Sequence, residues 1–282
     1  MRPSHLLVLA LAIAGCSAPI SVVPGSAPPP RASGHLVIVG GGGTPDAVVE
    51  RMIALAGGPG ARAIVLPQAS SRPEAGAESE TFWKEKGLAH VASLDLSDPD
   101  AARTAIESAD LIWFPGGDQS RLMEAIEKAG VAGAIRARYA AGAVVGGTSA
   151  GAAVMSPTMI VGGETADLTV VRSGSVAIVN GLGLFPGTIV DQHFLKRQRF
   201  NRLLSTVLEH PDLVGIGIDE KTAIVVAGTG FEVLGESGVL VVDARGTAKP
   251  ESGASGRPAQ GTAKLTLLRQ GMKYDIAVAH ER

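Results

Sequence analysis

Ser149 stands in the run Ala143-Val144-Val145-Gly146-Gly147-Thr148-Ser149-Ala150-Gly151-Ala152. An apolar, β-branched stretch leads to a glycine two residues before the serine. Small, helix-compatible residues follow a glycine two residues after it. This is the pattern of a nucleophile elbow, in which a strand enters a sharp turn and a helix leaves it. A side chain at either glycine would block the turn or push the helix off the sheet. The elbow lifts the hydroxyl clear of the sheet and aims the first free amides of the helix at whatever the hydroxyl attacks. Such a serine performs acyl transfer. It needs a base, a carboxylate that fixes the base's tautomer, and donors for the oxyanion.

The histidines are His5, His35, His90, His193, His210 and His280. His5 and His280 lie near the ends of the chain, and His35 opens the first strand, at the wrong end for a site. His90 falls on a peripheral connection. His210 precedes Pro211 at a helix end and suits carbonyl capping. His193 directly follows the apolar strand Thr188-Ile189-Val190-Asp191-Gln192, at the carboxyl edge where the serine also emerges, and is the best base by elimination and position. Its plainer alternative is a satisfied structural histidine. For the carboxylate, Glu220 ends the strand Val214-Gly215-Ile216-Gly217-Ile218 and is preferred, with Asp219 the other possibility. Asp191 lies two residues before His193, an awkward spacing for a ring-nitrogen contact, and is assigned to the substrate side. Ala150 supplies one oxyanion amide. Gly116 or Gly117, in a Gly-Gly turn at a strand end, supplies the other, with Gly117 preferred.

Beyond His193 come Lys196, Arg197, Arg199 and Arg202, with no acid until Glu209. A solvated basic helix face is the ordinary reading of such a run. Its start three residues past the proposed base points instead to a substrate carboxylate gripped by guanidinium forks.

These groups need a scaffold that brings strand ends together. Uncharged strands at 36–39, 63–66, 111–114 and before Ser149 alternate with helices over 45–56, 74–87, 120–129 and 131–141. That alternation predicts an α/β fold with a doubly wound, mostly parallel sheet covered on both faces, its functional groups at the carboxyl ends. A further helix is expected over 195–209. Short strands at 222–226, 231–234, 239–242, 265–268 and 274–278 predict a C-terminal β extension, interrupted by a polar loop over 247–261. Gly40-Gly41-Gly42-Gly43 invites a dinucleotide reading, but Pro45 occupies the third glycine position and no Gly-Lys-Ser/Thr follows, so a strand–helix turn is preferred.

Composition narrows the function. The chain has 282 residues and a formal charge of −2, and aromatic residues make up 4% of it, which argues against a nucleic-acid partner. No metal-ligand spacing such as His-Glu-x-x-His occurs, and no cofactor is expected. The single cysteine, Cys16, follows Arg2, His5, an apolar run over 6–14 and Gly15. Residues 1–16 therefore look like a lipoprotein signal, cleaved and lipidated at Cys16, whose only membrane contact is the lipid anchor. An ordinary secretory signal is the alternative. Residues 17–33, with Pro28-Pro29-Pro30, read as a tether, and the folded domain as 34–282. The expected location is the cell envelope: periplasmic, anchored to the outer membrane, or extracellular.

Four motifs together carry a family resemblance: Gly116-Gly117-Asp118-Gln119, Gly147-Thr148-Ser149-Ala150-Gly151-Ala152, Asp191-Gln192-His193-Phe194 and Gly217-Ile218-Asp219-Glu220. In order and approximate spacing they resemble the cyanophycinases, within the serine peptidase family that also holds aspartyl dipeptidase. The resemblance covers roughly residues 35–242. It implies a fold like the class I glutamine amidotransferase domain (flavodoxin-like), with serine in place of cysteine. It also implies a Ser149–His193–Glu220 triad, substrate contacts at Gln119, Asp191, Gln192, Arg197, Arg199 and Arg202, and a homodimer. The implied substrate is an aspartyl peptide or polymer: poly-aspartate whose side chains carry arginine, cut to β-Asp-Arg dipeptides. Two positions depart from the pattern. Pro115 stands where a small hydroxyl residue is expected, and Gln198 where glycine is common. The rival readings are a small α-aspartyl dipeptidase and a catalytically silent envelope binding protein on the same scaffold.

Overall fold

The computed structural model describes residues 34–162, 170–246, 248 and 259–277. The signal, Cys16, the tether and most of the 247–261 loop lie outside the described residues. The first half alternates as expected: β1 (His35–Val39), α1 (Asp46–Leu55), β2 (Arg62–Val65), α2 (Ala75–Glu85), β3 (His90–Ser93), α3 (Pro99–Ser108), β4 (Leu111–Phe114), α4 (Gln119–Lys128), α5 (Ala132–Ala140), β5 (Val144–Thr148) and α6 (Ala150–Ala153). The five strands pair in parallel in the order β1-β5-β4-β2-β3. Residues of α1 and α2 share one core with Val37, Val39 and Trp113. Residues of α3, α4 and α5 share another with Ile38, Ile112 and Val145. The strands are therefore covered on both faces, which is why β1 and β4 read as unbroken apolar runs.

The second half runs β6 (Thr158–Val161), β7 (Ala177–Asn180), β8 (Thr188–Gln192), α7 (Phe200–Glu209), β9 (Val214–Ile218), β10 (Thr222–Ala227), β11 (Gly230–Gly235), β12 (Gly238–Asp243), β13 (Lys264–Arg269) and β14 (Lys273–Asp275). β10, β11 and β14 extend the central sheet beyond β1 by antiparallel pairing. β6 and β7 form a separate ribbon.

Two features differ from the simplest reading of the sequence. The strands that lead to His193 and Glu220, β8 and β9, pair in parallel with each other in a second, four-stranded sheet of order β13-β12-β9-β8. Glycines make this stacking possible. A Cβ on Gly215 would lie 2.7 Å from Val207 and one on Gly217 2.5 Å from the Phe194 ring, so α7 and Phe194 lie flat on β9. Val214, Ile216 and Ile218 join the core of the central sheet. The helix expected over 195–209 also starts late, at Phe200. Gln198 has a left-handed φ of 52°, a conformation that helices do not accommodate.

The elbow itself is sterically closed. A Cβ on Gly147 would sit 2.5 Å from the Gly151 carbonyl oxygen, and one on Gly151 2.1 Å from that of Phe114. Backbone atoms cannot move aside cheaply, so Gly151→Ala is expected to destabilise the protein by about 1–3 kcal/mol in denaturant unfolding. Gly133, in α5 with open space around its Cβ position, is the control: Gly133→Ala should stabilise by about 0.5–1 kcal/mol. Equal effects at the two positions would contradict this reading of the elbow.

Candidate active site

Ser149 occupies the turn between β5 and α6 with φ 55° and ψ −111°, a strained conformation for a residue with a side chain. Its amide donates to the Val39 carbonyl across the β1 end. His193 follows β8 with φ 49°, and its amide donates to the Gly40 carbonyl at 2.7 Å. Glu220 follows β9. The next residue, Lys221, has φ 51° and donates its amide to the Gly41 carbonyl at 2.7 Å. The glycine run after β1 thus holds both flanking turns by its backbone.

The side chains then meet. His193 Nε2 lies 2.9 Å from Ser149 Oγ, and His193 Nδ1 lies 2.7 Å from Glu220 Oε1. A carboxylate accepts from the Nδ1–H, which leaves Nε2 with a lone pair directed at the hydroxyl. Asp219, the alternative carboxylate, faces elsewhere: it accepts the amides of Leu195 and Lys196 and the hydroxyl of Ser237.

Sequence reasoning missed the role of Gly40–Gly42 by taking the run for a strand–helix turn. A Cβ on Gly41 would lie 2.3 Å from His193 Cε1, and one on Gly42 2.7 Å from Glu220 Cβ. The imidazole and the carboxylate therefore lie directly on bare backbone. Glycines packed together at the carboxyl end of a strand, with no phosphate-loop spacing, were the available signal.

The serine opens into a cleft of about 640 Å³, bordered by Gly117, Gln119, Gln192, Arg197, Arg199 and Arg202 among others. Gly116 comes nearest the nucleophile: its Cβ position is 3.4 Å from Ser149 Cβ. Gly117, at φ 143°, is pressed against the Ala69 carbonyl. Ala150 follows the serine in the first turn of α6, where amides have no intrahelical partner. Gln119 borders the cleft and donates its side-chain amide to the Ile160 carbonyl. Arg199 donates to the backbone and side-chain oxygens of Gln192 at 2.7 and 2.9 Å.

Asp191, expected on the substrate side, is buried against two of the arginines that border the cleft. Its side chain is 1% exposed and accepts from two of the Arg202 nitrogens, Nε at 2.7 Å and a terminal nitrogen. It also lies 3.7 Å from Arg199. The pairing fixes the orientation of guanidinium groups that border the cleft. Gln198, where the resemblance leads to glycine as the expected residue, has a left-handed φ of 52°, which glycine adopts freely. Among the described residues no group of three His, Cys, Asp or Glu is placed to hold a metal ion.

A serine on a strand–helix elbow, joined through an imidazole to a carboxylate on an α/β sheet, has the constitution of a serine hydrolase. The comparisons agree and go further. The model of Peptidase family S51 matches residues 36–234, and the chain belongs to that family of serine-type peptidases. It is 35% identical over 262 residues to the cyanophycinase of Trichormus variabilis, covering 88% of this chain and 87% of that one. It is 34% identical to the cyanophycinase of Geminocystis herdmanii, covering 81% and 87%. Among solved structures, a peptidase from an acI-B1 Actinobacterium shares the fold, with a TM-score of 0.59 and 21% identity over 87% of this chain and 99% of that one.

Burial pushes the His193 imidazole below its ordinary value of 6.5. Glu220 opposes the shift, and the nearby charges of Arg197 and Arg199 add to it. The neutral form can accept a proton, so base function should persist below pH 6.5 and disappear only in more acid solution. Removing a cation favours the imidazolium. Arg197→Gln should therefore raise the His193 midpoint, followed by the imidazole C–H resonances in the free protein. A midpoint that falls or stays put would contradict this account of the site's electrostatics.

Proposed function

We propose that this peptidase hydrolyses aspartyl peptide bonds in an arginine-bearing aspartate polymer, releasing β-Asp-Arg dipeptides. The observation that carries the reading is the Ser149–His193–Glu220 chain of 2.9 and 2.7 Å contacts opening onto a cleft walled by three arginines. The wall stays cationic after the nearby Asp118 and Asp191 are counted, which suits a substrate with free carboxylates. The cyanophycinase relatives match over most of their own length, which favours a polymer over a small α-aspartyl dipeptide.

In this mechanism Ser149 Oγ attacks the scissile carbonyl carbon while its proton passes to His193 Nε2. Glu220 holds the Nδ1–H and stabilises the imidazolium. The amides of Ala150 and Gly117 receive the oxyanion. The tetrahedral adduct collapses as His193 returns the proton to the leaving amine, leaving an acyl-enzyme. Water, deprotonated by His193, then attacks the ester and frees the new carboxylate and the serine hydroxyl. Arg197, Arg199 and Arg202 position the aspartyl carboxylates, with Gln119 and Gln192 at the same cleft. The reading places the enzyme in the cell envelope as a homodimer, tethered by residues 17–33 to a lipidated Cys16 and acting on polymer from outside the cell.

The test is clearance of insoluble cyanophycin by purified protein, with the released dipeptides quantified. Ser149→Ala should lower turnover by on the order of 10⁴-fold or more. Equal clearance by the variant would refute the mechanism. Turnover of α-aspartyl dipeptides with the polymer left intact would replace the substrate assignment.

A further inference from the structure

Asp219 is a buried carboxylate, 9% exposed, that the mechanism above does not use. Burial of its charge is unfavourable, yet its pKa is held below the ordinary carboxylate range, because hydrogen bonds from Ser237 and from backbone amides outweigh the burial. Its Oδ1 accepts from the amides of Leu195 at 3.1 Å and Lys196 at 2.9 Å, the second and third residues after His193. Its Oδ2 accepts from the Ser237 hydroxyl at 2.7 Å. Ser237 in turn donates its amide to the Thr222 hydroxyl at 2.9 Å, and that hydroxyl donates to the Glu220 carbonyl at 3.1 Å. The Asp219 amide donates to Gly238 at the start of β12.

These bonds form a bracket. One end grips the turn just beyond His193, and the other closes around the backbone of Glu220. The turn gripped by Asp219 also leads into Arg197 and Arg199, and it contains two left-handed residues, His193 and Gln198. Left-handed backbone persists only where surrounding bonds over-determine it. We infer that Asp219, braced by Ser237, is a positioning residue: it sets the His193 imidazole against Ser149 and Glu220 and, through the same turn, places the Arg197–Arg199 wall of the cleft. The inference rests on the proposed peptidase reading for its kinetic consequences, but not for its structural ones.

Loss of the bracket should move both ends of the site together. Asp219→Ala is expected to lower kcat/KM by about 100-fold, through a lower kcat and a higher KM, because small displacements of reacting groups cost about that much. It should also shift the His193 midpoint. Asp219→Asn keeps an oxygen for the two amides and offers an N–H to Ser237, so it should recover activity to within about 5-fold of the parent. Ser237→Ala removes one strut and should cost about 3- to 10-fold. The experiment measures kcat, KM and the His193 imidazole titration for all three variants, with circular dichroism to establish folding. A folded Asp219→Ala with unchanged kcat, KM and midpoint would overturn the inference, as would an asparagine variant as damaged as the alanine one. Should Asp219→Ala not fold, Ser237→Ala decides: unchanged kinetics and midpoint overturn the inference. Should the parent cleave no aspartyl substrate, the function reading fails, and the titration alone then decides the bracket.

Discussion

The close approach of an imidazole and a carboxylate to bare backbone is the constraint on which this site depends. His193 and Glu220 come from a sheet distinct from the one that presents Ser149. They reach the serine only by crossing the glycine run at the end of β1. The same run supplies the carbonyls of Gly40 and Gly41, which accept from His193 and Lys221. Two sheets, one of them with Gly215 and Gly217 letting α7 and Phe194 lie flat on it, are thereby registered to within hydrogen-bond tolerance. Covalent continuity cannot provide that precision, since Ser149 and His193 are 44 positions apart in the chain.

Electrostatics follows from the same geometry. The base sits in a buried pocket beside guanidinium groups, both of which favour its neutral form, while Glu220 holds the tautomer that exposes Nε2 to the serine. Asp191 keeps its partner Arg202 oriented toward the cleft from a buried position. A buried pair of this kind adds little net stability against an apolar replacement, but breaking it by removing one partner costs several kcal/mol. Its value to this protein is orientation: a fixed cationic wall beside Ser149.

Much of this was legible in the residues. The elbow reads directly from its paired glycines, because no other residue fits against the Gly151 and Phe114 carbonyls. The parallel strands read from uncharged apolar runs, since both faces are buried. His193 and Glu220 could be found because both stand just past an apolar strand, whichever sheet that strand joins. The rest depended on contacts between distant segments. The division into two sheets is decided by pairing partners, which strand patterns do not encode. β3 is too short and too exposed to stand out as a strand, and α3 is signalled only by Asp98-Pro99, a cap followed by proline at the first helical position, where Asp98 accepts the Ala101 amide. The late start of α7 turns on one left-handed residue, Gln198, whose side chain gives no warning of it. Asp191 has the type and position of a substrate contact. Its burial against Arg202 depends on the packing of β8 on α7 and is not written in its own neighbours.

The glycine contact can be isolated by comparing two alanine substitutions. Gly41 and Gly43 share nearly the same positive φ, 105° and 101°, which disfavours any side chain, but a Cβ at Gly41 strikes the His193 ring whereas one at Gly43 meets nothing within 4 Å. Backbone strain is therefore common to Gly41→Ala and Gly43→Ala, and steric displacement of the base is confined to the first. The decisive measurement is the rate at which a fluorophosphonate phosphonylates Ser149, with loss of fluoride, in each folded variant. The account requires a loss of about 100-fold or more in Gly41→Ala and a rate near the parent's in Gly43→Ala. Equal rates in the two variants would contradict it.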